Sequence, residues 1–167
     1  MHAHQSFLIA RGGHVGLGPV RTVFATDFSD YSLCCFGRFI DMHPLGLDHV
    51  TIVTVTTSAA ERSARHGSSD DGGLPHHLED TEAEMRRKGR QMVDRLVALG
   101  CTADYRLLAG HPQQALSVAM DDLGADLLVL GGRQHNSLRQ FFAASLSLRE
   151  TVEEKYSVLV IRIPSEN

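Results

Sequence analysis

The chain has 167 residues and a formal charge of −4, enough length for one domain that buries roughly two thirds of the surface its unfolded chain exposes. Acidic and basic residues are interspersed without a long basic run, which argues against a nucleic-acid or membrane surface and toward a small-molecule or protein partner. No apolar run approaches the roughly 18 to 20 residues of a membrane span, and Cys34, Cys35 and Cys101 form neither a C-x-x-C pair nor an even disulfide framework, as expected for a reducing cytoplasm.

Met1 to Gly18 lacks the cationic start, long apolar core and cleavage site of a signal peptide, so residues 1–19 read as a flexible arm. Its His2, His4 and His14, like His76-His77, have no nearby Cys and no i, i+4 partner on a helix, so no metal site is expected. Val20 to Thr26 is a short β-rich run, and Asp27-Phe28-Ser29-Asp30 supplies cap and turn chemistry before a helix with apolar spacing at Leu33, Phe36, Phe39 and Ile40. On that helix the vicinal Cys34-Cys35 pair suits small core-filling side chains better than a redox sensor.

His49 to Thr56 is dense in β-branched residues and makes a second strand. Ser58 to His77, rich in Gly, Ser, Asp and His, reads as a mobile excursion within the domain. From Leu78 to Leu99 apolar residues recur at helical spacing on a charged background, up to Gly100. Ala103 to Ala109 is a third strand, Pro112 to Leu123 a helix with Pro at its start, and Asp126 to Leu130 a fourth strand. Ser145 to Lys155 is helical, and Ser157 to Ile163 closes the domain as an apolar strand stopped by Pro164.

Strands alternating with helices favour right-handed crossovers and a parallel sheet covered on both faces. The expectation is a doubly wound five-stranded α/β sheet, Rossmann-like, of order 3-2-1-4-5. In that order the sheet reverses between strands 1 and 4, and ligands bind beyond their carboxyl ends. Those ends are Asp27 and Gly131, which are thereby predicted to face one crevice across a hundred residues of chain.

With its pieces in this order, the chain resembles the universal stress protein family from about Val20 to Ile163. The matching pieces are Thr26-Asp27-Phe28-Ser29, Val50 to Val55, Gly110-His111-Pro112, Ala125 to Gly131, and Val158 to Arg162. The resemblance implies an adenine nucleotide alpha hydrolase-like fold over residues 20–164, cytoplasmic residence, a role in the stress response and a homodimer. It also implies a ligand, ATP or AMP with Mg.

In the ATP-binding branch of that family the loop after strand 4 reads G-x2-G-x9-G-[S/T], with backbone N–H groups and the final hydroxyl on the phosphates. Gly131 and Ser145 match, whereas the second and third glycines fall on Gln134 and Ala144. Where position 134 requires positive φ, Gln costs on the order of 1 kcal/mol relative to Gly. Ala144 is the milder change, because a helix start still presents the N–H of Ser145 to an anion. Asp27 matches the family aspartate near the ribose or adenine, and Val55 the valine whose backbone meets the adenine. Each residue also suits a purely structural role: Asp27 a helix cap, Val55 the core, Ser145 an N-cap. Arg133, His135 and Arg139 are side-chain donors able to stand in for lost glycine amides, and Phe141-Phe142 suits seating the loop by packing.

No P-loop, no G-x-S-x-G and no H-E-x-x-H occurs. The first expectation is therefore a stress-response binding and regulatory module, not an enzyme, with weak or lost adenine-nucleotide binding. It would act through a homodimer paired along the edge of Ser157 to Ile163, or through a regulatory protein. The alternative is an ATP-binding, slowly hydrolysing member using Arg133, Arg139 and Ser145, and a third reading is a thiol redox or metal module.

Overall fold

The computed structural model describes residues 6–10, 18–42, 46–56, 74–132 and 155–163, with backbone alone at 48 and 74–80. Among the described residues there are six strands and three helices, in the order β1 (Phe7–Ile9), β2 (Val20–Ala25), α1 (Asp30–Asp41), β3 (Leu47–Thr56), α2 (Leu74–Ala98), β4 (Thr102–Ala109), α3 (Pro112–Leu123), β5 (Leu127–Gly131) and β6 (Ser157–Ile161). The sheet order is β1-β6-β5-β2-β3-β4. All neighbours are parallel except β1 and β6. Without β1 this is the expected 3-2-1-4-5 order, and it arises because each crossover must carry a helix back over one sheet face.

The inner strands β2, β3, β5 and β6 bury both of their sides, as their near-continuous apolar runs require. One side joins Phe24, Val50, Ile52, Val129 and Ile161 to Phe36, Phe39, Met92 and Leu96 of α1 and α2. The other joins Val23, Val53, Leu128, Leu130, Val158 and Val160 to Leu116 and Met120 of α3. Phe24 meets Phe36 edge-to-face at 5.2 Å between ring centroids, and Arg95 lies over Phe36 at 5.3 Å, an aromatic and cation–π stack that seats α1 and α2 on the same sheet face. α2 and β4 approach so closely that a β-carbon on Gly89 would lie 2.3 Å from the Tyr105 ring.

Three expectations are corrected. Residues 1–19 are not wholly a loose arm, because Phe7–Ile9 forms β1 and pairs antiparallel with β6, Phe7 opposite Val160 and Ile9 opposite Val158. Ser157 to Ile161 is consequently not an open edge: within one chain, β1 covers it. The excursion predicted at Ser58 to His77 is shorter as well, since α2 begins at Leu74. Its remaining residues, 58–73, lie outside the described residues, as do 145–154 of the predicted last helix.

On α1, Cys35 is fully buried and Cys34 exposed. Burial pushes the Cys35 thiol up to about 11 from its ordinary 9.0. Because the folded state holds the neutral thiol, the stability this supplies is whole below about 9 and is lost as pH rises toward about 11. Iodoacetamide at neutral pH should alkylate Cys34 and reach Cys35 only on unfolding, as read by peptide mass spectrometry. Equal native rates at the two cysteines would contradict the burial.

Candidate functional site

Three adjacent parallel strands, β3, β2 and β5, end side by side. Ala25 at the end of β2 is level with Val53 of β3 and Leu130 of β5, so Asp27, Val55 and Gly131 all lie at the carboxyl ends where the sheet order reverses. This is the placement expected from the order of elements, and the physical reason is the one that makes such crevices binding sites: strand ends diverge there to opposite sheet faces.

After β2 the chain makes a tight turn held by backbone and side-chain hydrogen bonds. Thr26 N–H donates to the Val53 carbonyl at 2.9 Å, continuing the sheet by one bond. The Thr26 hydroxyl accepts from the Phe28 N–H at 3.0 Å and shares a hydrogen bond with the Ser32 hydroxyl at 2.8 Å. Phe28 adopts φ 57°, the only non-glycine residue with positive φ among the described residues. A bulky side chain in the left-handed region is strained by roughly 1–2 kcal/mol, and burial of its ring beside Tyr105, 6.1 Å between centroids, holds it there.

Asp27 does not cap α1; Ser29 does, its Oγ accepting from Ser32 N–H at 3.2 Å. The Asp27 carboxylate is exposed and is fixed from one side, Oδ1 accepting from both the backbone N–H and the hydroxyl of Ser29 at 3.0 and 2.7 Å. That Asx turn orients the carboxylate and leaves Oδ2 without a hydrogen bond among the described residues.

Val55 contributes backbone. The Val53 carbonyl faces β2, and residues two apart on a strand direct their backbone groups to the same side. Val55 thus presents its N–H and C=O past the point where β2 has ended, while its half-buried side chain packs on the α3 side of the sheet.

Gly131 and Gly132 have structural work of their own. A β-carbon on Gly131 would stand 3.1 Å from Cys35 Sγ and 3.6 Å from the Tyr31 ring, so α1 approaches β5 closely enough that any side chain there requires Cys35 to shift by a few tenths of an ångström. The N–H of Gly132 donates to the Ile161 carbonyl at 2.8 Å, continuing the sheet, and is therefore committed to β6 and not to an anion. Tyr31, which sequence spacing did not mark, donates its hydroxyl to the Gly132 carbonyl at 2.7 Å and accepts from Ile163 N–H at 3.5 Å. Burial raises its phenol pKa, which keeps it a donor across the neutral range. One side chain thereby ties the ends of β5 and β6 to α1. Anion-binding amides, if this loop supplies them, must come from residue 133 onward. Arg133, Gln134, His135, Arg139, Phe141, Phe142, Ala144 and Ser145 lie outside the described residues.

A cleft of about 340 Å³ opens beside the turn, lined by Asp27, Phe28 and, from α2, Thr81, Glu84, Met85 and Lys88. Glu84 is engaged by Arg87 through bonds of 2.6 and 2.8 Å, which hold its carboxyl below the usual range. Lys88 Nζ lies 3.9 Å from the same Glu84 carboxylate, so the α2 wall carries an Arg87–Glu84–Lys88 charge cluster, and Asp27 joins it in lining a cleft whose apolar members are Phe28 and Met85. The α2 wall escaped sequence reading because its residues have the ordinary pattern of a charged helix surface. Among the described residues no group of three His, Cys, Asp or Glu side chains is placed to hold a metal, and no helix is long and apolar enough to cross a membrane.

The architecture is similar to solved structures of low sequence identity. A universal stress protein in complex with cAMP is 22% identical, with TM-score 0.52, covering 87% of this chain and 98% of that one. A protein of the same family from Burkholderia pseudomallei is 20% identical, with TM-score 0.57, covering 89% and 99%. One from Arabidopsis thaliana with AMP bound is 14% identical, with TM-score 0.53, covering 88% and 94%. No curated protein sequence matches the chain. The universal stress protein family model matches residues 21–162. With that match running from β2 to just past β6, over a sheet that reverses between β2 and β5, the chain belongs to the universal stress protein family.

Proposed function

We propose that this chain is a cytoplasmic stress-response module that binds an adenine nucleotide chiefly by its nucleoside end and acts by regulation, not turnover. The observation that carries the reading is the Asp27 carboxylate, held by Ser29 with Oδ2 presented at the strand ends, beside the outward backbone of Val55. A carboxylate accepts from ribose hydroxyls, and a strand's N–H and C=O pair with the edge of an adenine. The ligands named for two structural neighbours, cAMP and AMP, each carry a single phosphate group, in keeping with recognition centred on the nucleoside. Phosphate contacts then fall to the segment after Gly132, where Gln134 and Ala144 replace two glycines of the ATP-binding pattern.

Titration calorimetry with AMP, cAMP and Mg-ATP tests this. AMP is expected to bind, with Mg-ATP no tighter, and Asp27→Ala to weaken AMP by about 10- to 100-fold, the worth of hydrogen bonds to a charged group. An unchanged melt would show that the turn survives. Absence of heat with every nucleotide sinks the reading. Mg-ATP binding far tighter than AMP would favour instead a triphosphate site built from Arg133, Arg139 and Ser145.

A further inference from the structure

β4 forms the sheet margin opposite β1. Among the described residues no strand pairs beyond it, it has eight residues against three in β1, and none of the eight is buried. The Gly110 N–H donates to the Thr56 carbonyl at 2.9 Å, and alternation back along the strand turns the backbone groups of Leu108, Arg106, Asp104 and Thr102 toward β3 as well. Those of Ala103, Tyr105, Leu107 and Ala109 therefore point outward, a row of donors and acceptors that proteins pair with another strand or guard with charge. The charges on this strand do not guard it, because they are of opposite sign. Asp104 and Arg106 lie two apart on the sheet face of Leu108, their side chains 41% and 45% exposed. Arg106 Nε stands 3.9 Å from Asp104 Oδ2 and His49 Nε2 3.6 Å from Oδ1, both beyond hydrogen-bond length, and Oδ1 has no hydrogen-bond partner among the described residues.

We propose that β4 is an interaction edge whose occupant is β4 of a second copy of this chain, paired antiparallel about a twofold axis at Tyr105. The free backbone groups and the charges select this register together. With the axis at Tyr105, that residue faces its own copy and Ala103 faces Leu107, so the hydrogen-bonded pairs fall on the residues whose N–H and C=O point outward. Asp104 then stands opposite the second copy's Arg106, and Arg106 opposite its Asp104. These are non-hydrogen-bonded pairs, where Cα atoms come within about 4.5 Å and side chains meet most closely. The other registers lose this match. An axis at 104 sets Asp104 against Asp104, one at 106 sets Arg106 against Arg106, and one at 103 or 107 leaves both charges opposite neutral residues. Parallel pairing in register opposes like charges at both positions. Val97 and Leu99, 54% and 50% exposed, lie in the chain just before the strand and add apolar surface near the same margin.

Sedimentation velocity on the full chain over a concentration series should show a reversible dimer. Asp104→Arg and Arg106→Asp each set like charges opposite one another at two places, and each should raise the dissociation constant by about 30-fold. Mixing the two variants in equal amounts should restore association, since each then meets the opposite charge in the other, and that recovery also shows that both are folded. Leu107→Pro removes an outward N–H that no strand of the same chain uses, so it should abolish the dimer and leave the melt of the monomer nearly unchanged. Hydrogen exchange at the amides of Ala103, Tyr105 and Leu107 should slow as concentration rises. The proposal is overturned by an unaltered chain that stays monomeric at every concentration, or by a dimer in which those three amides remain fast. It is equally overturned by charge variants that associate as the unaltered chain does, or by a mixture that associates no better than either variant alone.

Discussion

Phe28→Ala is expected to lower the unfolding free energy by about 3–5 kcal/mol, and Phe28→Gly by about 1 kcal/mol less. That order inverts the usual one, in which glycine is the worse replacement. Both changes empty the space the ring fills beside Tyr105 and under the cleft. Only glycine relieves the backbone, because φ 57° crowds any β-carbon against the following carbonyl. The native state keeps a phenylalanine in this conformation because the packing gain exceeds the strain, and the turn so fixed aims Asp27. Denaturant unfolding of the three chains decides the point: alanine as stable as glycine would mean that the left-handed turn is not strained. Either variant widens the cleft, so AMP affinity should fall with the ring.

Gly89→Val is expected to cost about 3 kcal/mol, at the upper end of overpacking. Inside an exposed helix, replacing glycine normally helps, since glycine is the poorest helix former after proline. Here the added carbons would start 2.3–2.5 Å from three ring atoms of Tyr105, Cγ among them, so the ring as a whole must shift, and with it the packing against Phe28. The sign therefore comes from the contact and not from propensity. Pairing the change with Tyr105→Ala should recover much of the loss, a coupling that denaturation of the single and double variants measures. Additive losses would mean that the two residues do not compete for one space.

Both predictions rest on contacts between residues that are distant in the chain, and they mark the boundary of what could be read in advance. The parallel core was legible because it is written in local periodicities. The β-branched run at 49–56, the apolar spacing through α1 and α2, and Pro112 at the start of α3 each report the surroundings of their own segment. Once those elements alternate, chirality and the covering of both sheet faces leave few orders, so the convergence of Asp27 and Gly131 followed from connectivity alone.

Other features had no local signal. Phe7-Leu8-Ile9 is too short to announce a strand, and it becomes one only against β6, through contacts such as that of Ser6 with Arg162, 156 residues away. Gly131 carries the family pattern and also the packing need of Cys35, and only the approach of α1 separates the two. Tyr31 reads as one more aromatic on a helix until its hydroxyl is seen to join Gly132 and Ile163. The sequence by itself thus determined the parallel strands, the described helices, their order and the adjacency of the strand ends at Asp27 and Gly131, because backbone propensity and one-sided burial act within a few residues. The tertiary structure alone decided the strained turn that orients Asp27, the commitment of the Gly132 amide to β6, and the strand that covers the edge, because each depends on which distant surface a residue meets.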